Sequence, residues 1–156
     1  MFETVVIATD GSASGERAVE TAVDLAERFD AEAHALYVVD ESKVGDLPED
    51  LHEEVSEALF ERGQEALEAV EAAVDGPVTT VVREGRPARQ ITTYVREIDA
   101  DVVATGTRGR GGEHPFLLGS VAEAVVRTCP VPVLTVRQLE GRGGPDAARA
   151  ADAAQV

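Results

Sequence analysis

The sequence predicts a doubly wound α/β domain, a five-stranded parallel sheet with helices on both faces. Three observations carry this expectation. Short β-branched runs alternate with longer amphipathic ones along the chain, the pattern of repeated strand–crossover–strand units. The strand segments, among them TVVIA, ALYVV and DVVATG, are too uniformly apolar to leave one sheet face to water. The length of 156 residues matches one domain, and 44% hydrophobic residues can supply its core.

The elements follow in order. A first strand spans about residues 3 to 9 (ETVVIAT) and ends on the turn DGSAS. A helix is expected from about Ser14, placed as its N-cap, to Phe29, because Ala18, Ala22, Leu25, Ala26 and Phe29 fall at helical spacing. The second strand is EAHALYVV, about 32 to 39, and an acidic loop closed by Pro48 leads to a long helix from about Glu49 to Val74. In that helix Leu51, Val55, Leu59, Ala66, Val70 and Val74 make an apolar stripe. Glu53, Glu57, Glu61, Glu65 and Glu68 make the wet face, too regular for a metal site. The third strand is VTTVVR, about 78 to 83; Pro87 then opens a helix that turns Ile91, Val95 and Ile98 inward. A fourth strand, ADVVATG, runs into a glycine-rich loop, a helix from about Gly119 to Arg127 and a last strand, VPVLTV, at 131 to 136. Beyond Arg137 the chain is rich in Gly, Ala and charge. Residues 1–137 therefore read as one domain and 138–156 as a disordered tail.

Charge narrows the partners. The formal charge is −16, and of the fourteen basic residues Lys43 is the lone lysine. A chain this acidic lacks the basic face that phosphate backbones require, so nucleic acid is excluded as a partner. The acidity is either a solvated surface or a face made for a basic partner. Because the Debye length shrinks from roughly 10 Å at 0.1 M salt to about 3 Å at 1 M, such a surface suits a salty, halophile-like cytoplasm. Cys129 is the only cysteine; it excludes an intrachain disulfide, agrees with a reducing interior and reads as a small buried residue. No signal segment opens the chain, and no apolar run approaches the ~20 residues of a membrane span. The expected location is cytoplasmic.

The chemistry lies in the stretch TGTRGRGGEHPFLLGS, residues 105 to 120. Gly106 and Gly109, then Gly119 and Ser120, give the spacing G-x2-G-x9-G-[ST]. Glycines let backbone approach a phosphate closely, the N–H groups of a helix opening at Gly119 attract anions, and Ser120 adds a hydroxyl. Taken alone, such a loop is either a turn or a phosphate site. In an open parallel sheet ligands sit at the carboxyl ends of strands where the order reverses, and the TDGSAS turn would share that crevice. The competing motifs G-x-x-x-x-G-K-[ST] and G-x-G-x-x-G are absent from these loops.

The start VVIATDGS, the middle EGRPARQITTYVREIDADVVATGTRGRGG and the end LLGSVAEAVVRTCPVPVLTVR resemble the universal stress protein family over residues 3 to 137. The glycine spacing is similar to that of the family's nucleotide-binding branch. The resemblance implies strand order 3-2-1-4-5 and a homodimer in which the last strands, Val131 to Val136, pair across a two-fold axis. An apolar edge strand left unpaired would be an aggregation liability, while Pro130 and Pro132 limit the N–H groups free to pair.

The resemblance also implies binding of ATP or AMP, with Mg²⁺ or Mn²⁺. By matching positions, Asp10 takes the ribose or a phosphate-bound metal, with Thr9 beside it, and the backbone of Val38 meets the adenine edge. Gly106, Gly109, Gly119 and Ser120 hold ribose and phosphates, flanked by Thr107, Arg108, Arg110 and Val121. Asp10 has the rival role of capping its own turn, and Ser120 of capping its helix. Where members commonly carry a basic residue ahead of LLGS, this chain has Glu113, His114, Pro115 and Phe116. A phosphate loses a cation there, which Arg108 and Arg110 would replace. His34 and His52 read as structural or exposed.

The implied role is a dimeric stress-response or energy-status module that reports nucleotide occupancy to an unknown protein partner. The alternative is a slow ATPase or a self-phosphorylating enzyme with Ser120 or a nearby hydroxyl as acceptor. It ranks second because phosphoryl transfer needs positioned cations and a group orienting the nucleophile, and only Asp10, Arg108 and Arg110 offer themselves. A third reading is a dimeric interaction protein that binds no nucleotide.

Overall fold

The fold is known from a computed structural model, which describes residues 2–107 and 118–137. Five parallel strands form one sheet in the order β3-β2-β1-β4-β5: β1 Thr4–Ala8, β2 Glu32–Asp40, β3 Val78–Gly85, β4 Val102–Gly106 and β5 Val133–Val136. The helices are α1 Glu16–Phe29, α2 Ser42–Gly45, α3 Glu49–Ala73, α4 Pro87–Glu97 and α5 Ser120–Thr128. The expected doubly wound architecture and strand order are both present.

Two apolar layers enclose the sheet. On one face Val5, Ile7, Ala35 and Tyr37 pack against Ala22 and Ala26 of α1 and Ala66 and Val70 of α3. On the other, Val6, Leu36 and Val103 pack against Ile91 and Val95 of α4 and Val125 of α5. Alternation along β1 thus sends its apolar residues to both cores, which is why the strand carries no polar face.

The central pair, β1 and β4, is held in register from its amino end. The carboxylate of Asp101 accepts the backbone N–H groups of Glu3 at 2.8 Å and Thr4 at 2.9 Å. These two bonds, that from Glu3 first, hold its pKa below the usual aspartate value.

The structure corrects the sequence reading at several points. Ser14 is not at the N-cap position of α1; it lies in a single 3₁₀ turn, Ala13–Gly15, and Gly15 is the N-cap. Phe29 does not face the core. It is 45% exposed and sets its ring edge-on to Phe2 at 5.1 Å, because the left-handed Asp30 that ends α1 turns the chain straight into β2. The α3 stripe is buried only from Gly63 onward, through Ala66, Leu67 and Val70, while Leu51 is exposed, since the first half of this 25-residue helix runs past the sheet. The acidic loop contains α2. Cys129 is half-buried rather than buried. The expected tail, 138–156, lies outside the described residues.

Two histidines are absorbed structurally. His34 Nδ1 lies 2.8 Å from the Tyr94 hydroxyl, and His52 Nε2 lies 2.7 Å from the Leu47 carbonyl.

Candidate functional site

The carboxyl ends of β1 and β4, adjacent in the sheet, open onto one cleft. Strand order reverses here, since β1 connects to β2 on one side while β4 lies on the other. The cleft has a volume of about 450 Å³, within the range of roughly 300–1,000 Å³ usual for small-molecule sites.

The first wall is the turn after β1. The Thr9 N–H donates to the Leu36 carbonyl at 3.0 Å, extending the β1–β2 pairing past the strand end. Thr9 Oγ1 accepts the Gly11 N–H at 3.1 Å, and Asp10 Oδ1 accepts both the N–H of Ser12, at 2.9 Å, and its hydroxyl. Gly11 has φ +72°, a conformation other L residues avoid, so the sharp reversal needs glycine there. Asp10 does therefore cap its own turn, and those bonds fix one carboxylate oxygen at the cleft wall.

The second wall is the start of α5. The Thr107 N–H donates to the Val136 carbonyl at 3.2 Å and the Gly119 N–H to the Thr107 carbonyl at 2.6 Å, so both ends of the intervening loop are tied to the sheet. Gly119, not Ser120, is the N-cap of α5, with extended backbone at φ −63° and ψ 157°, and among the described residues no side chain bonds the first turn. The opening residues Ser120, Val121 and Ala122 line the cleft. An uncapped helix start facing a cleft presents N–H donors and the positive end of the helix dipole.

Of the residues expected from sequence, Thr9, Asp10, Val38, Gly106, Gly119, Ser120 and Val121 line this one cleft. Thr107 is not in its described lining and serves instead to pin the loop. Arg108, Gly109 and Arg110, with Glu113, His114, Pro115 and Phe116, lie outside the described residues.

Sequence reasoning missed other lining residues. Asp40 and Lys43 come from the end of β2 and from α2, Arg62 and Leu59 from α3, and Tyr37 from β2. The charged groups of the described lining are Asp10, Asp40, Lys43 and Arg62, so this part of the cleft is formally neutral in a chain of charge −16. A lone lysine in the sequence was the available signal, but nothing in its spacing tied it to the glycine loop. Among the described residues no group of three or more His, Cys, Asp or Glu could hold a metal ion. No helix among them is long and apolar enough to cross a membrane.

Fold and cleft define a doubly wound α/β domain with a ligand-sized site at its topological switch point. The model of the universal stress protein family matches residues 1–137. A universal stress protein of Methanocaldococcus jannaschii, MJ0531, is 40% identical over 142 residues, covering 88% of this chain and 84% of the relative. One of Methanothermobacter thermautotrophicus is 34% identical, covering 88% and 97%. This chain belongs to the universal stress protein family. Among solved structures, protein MJ0577 superposes with a TM-score of 0.80 at 24% identity, covering 90% of this chain and 99% of that one. UspA of Lactobacillus plantarum gives 0.74 at 26%, covering 87% and 98%. A universal stress protein crystallised in complex with cAMP gives 0.65 at 25%, covering 88% and 98%.

Proposed function

We propose that the cleft binds an adenine nucleotide, ATP or AMP, and that the protein acts as a dimeric regulatory module reporting nucleotide occupancy to a protein partner. The observation that carries this reading is the meeting of the Asp10 turn and the uncapped start of α5 across one cleft. The family neighbour in complex with cAMP supports a nucleotide as the ligand class.

In this proposal the N–H groups of Ser120 and Val121, with the Ser120 hydroxyl, hold phosphate oxygens, and Gly106 and Gly119 let the ligand approach backbone. Charge-assisted bonds of this kind contribute roughly 1.5–3 kcal/mol each. Asp10, positioned by its own turn, takes the ribose hydroxyls or a Mg²⁺ or Mn²⁺ ion. The Val38 backbone meets the base edge. Arg108, Gly109 and Arg110, assigned to the nucleotide by resemblance, belong to the same proposal.

The homodimer through Val131 to Val136 belongs to the same proposal. In its support, β5 is an edge strand, and Val126 on the neighbouring helix is 48% exposed. A cytoplasmic setting accords with the lone cysteine.

The test is the nucleotide content of the purified protein, followed by calorimetric titration of ATP into wild type and Gly119→Val. The backbone of Gly119, at φ −63° and ψ 157°, is one a β-branched residue adopts, and thermal denaturation of the variant checks that its fold is kept. Bound nucleotide, or micromolar binding lost in the variant, is the expected result. Absence of both in wild type refutes the proposal.

A further inference from the structure

Two cations, Lys43 and Arg62, line the cleft. Resting on the adenine-nucleotide reading above, we propose that Lys43 and Arg62 form an anion-binding pair that selects nucleotides by phosphate charge, favouring ATP over AMP and over uncharged adenosine.

Both residues reach the site through identifiable local structure. Lys43 sits on α2, whose first turn is pinned to the end of β2: Asp40 Oδ1 accepts the Ser42 N–H at 3.0 Å and the Ser42 hydroxyl at 2.7 Å. The Glu41 N–H adds a bond to the Gly85 carbonyl at 3.2 Å, tying the start of this segment to the end of β3. Arg62 precedes Gly63, where α3 approaches the sheet so closely that a Cβ would lie 2.5 Å from the Tyr37 ring. That close approach brings Arg62 and Leu59 to the cleft margin beside Tyr37.

Neither cation is spent on the protein. Arg28, Arg83 and Arg127 pair with Asp24, Glu97 and Glu123, whereas Lys43 and Arg62 make no ion pair among the described residues. In a chain with thirty acidic residues and one lysine, an ammonium and a guanidinium are set in the lining of one cleft, where they offset Asp10 and Asp40. Without them the described lining would carry only carboxylates and would repel each added phosphate. With them, every added phosphate charge gains attraction.

Calorimetric titration of the full chain with ATP, AMP and adenosine tests the assignment in wild type, Lys43→Gln, Arg62→Gln and the double variant. Arg96→Gln, on the exposed end of α4, controls for loss of a positive charge elsewhere. The expected result is wild-type affinity in the order ATP, AMP, adenosine. The ratio of ATP to adenosine affinity then falls at least tenfold in the double variant and stays within twofold in Arg96→Gln. Wild-type binding with a ratio unchanged by the double variant overturns the assignment and leaves the nucleotide reading standing. No binding of any of the three to wild type overturns both.

Discussion

Gly63→Ala tests how the sheet and α3 meet beside the cleft. In an exposed helix interior this change would stabilise the protein by about 1 kcal/mol, because glycine is a poor helix former. Here the added Cβ would stand 2.5 Å from Cδ1, 2.8 Å from Cε1 and 3.1 Å from Cγ of Tyr37, the first two closer than carbon atoms approach. Moving the ring aside would disturb the core, since Tyr37 is only 5% exposed and packs between the sheet and α3. Overpacking of this kind costs about 1–3 kcal/mol. The balance is a net loss of up to about 2 kcal/mol, and each kilocalorie lowers Tm by roughly 2–4 °C in a domain of this size. Because Tyr37 and Arg62 both line the cleft, displacement of α3 should weaken nucleotide binding as well. Thermal and urea denaturation of wild type and variant measure the first effect and calorimetry the second. A Tm raised by several degrees would show that helix propensity wins and that the close approach is not real.

Three further outcomes follow from the same structure. Gly85, at the end of β3, has φ +138°, where only glycine is at ease, so Gly85→Ala should cost about 1–3 kcal/mol in urea denaturation, and a neutral result would contradict that backbone conformation. The folded pKa of Asp101 lies below its ordinary value of 3.8, so its contribution to stability is complete above that value and is lost as pH falls through the lower folded value. Asp101→Asn should therefore cost stability at neutral pH, with the gap to wild type closing below about pH 4; a gap constant down to about pH 2 would refute this role. With a formal charge of −16, Tm should rise steeply between low and molar KCl as screening relieves self-repulsion, and a flat curve would sink the salt-adapted reading of the surface.

What the sequence made legible was whatever rests on local pattern. The β-branched runs gave all five strands, and Pro87 marked the start of α4, because these signals act within a few residues. The glycine spacing pointed to one cleft wall, and seven of the expected site residues share the lining. Contributions that depend on tertiary approach were not legible. Gly63 sits inside a helix pattern with no local reason to be glycine, and only the Tyr37 ring opposite explains it. Lys43 and Arg62 belong to segments that local pattern marks as acidic and wet, and only packing turns them toward the cleft. Phe29 and Leu51 fit an amphipathic stripe by spacing, yet α1 and α3 extend beyond the surface that could bury them.

An adenine nucleotide in the cleft between the Asp10 turn and the start of α5 would be seen by amide chemical-shift mapping of the isotope-labelled full chain during titration with ATP and Mg²⁺. The expected result is saturable shifts concentrated at Thr9, Asp10, Gly106, Ser120 and Val121, with Lys43 and Arg62 following. Shifts confined to another face, or none at ATP concentrations up to the millimolar range, would contradict it.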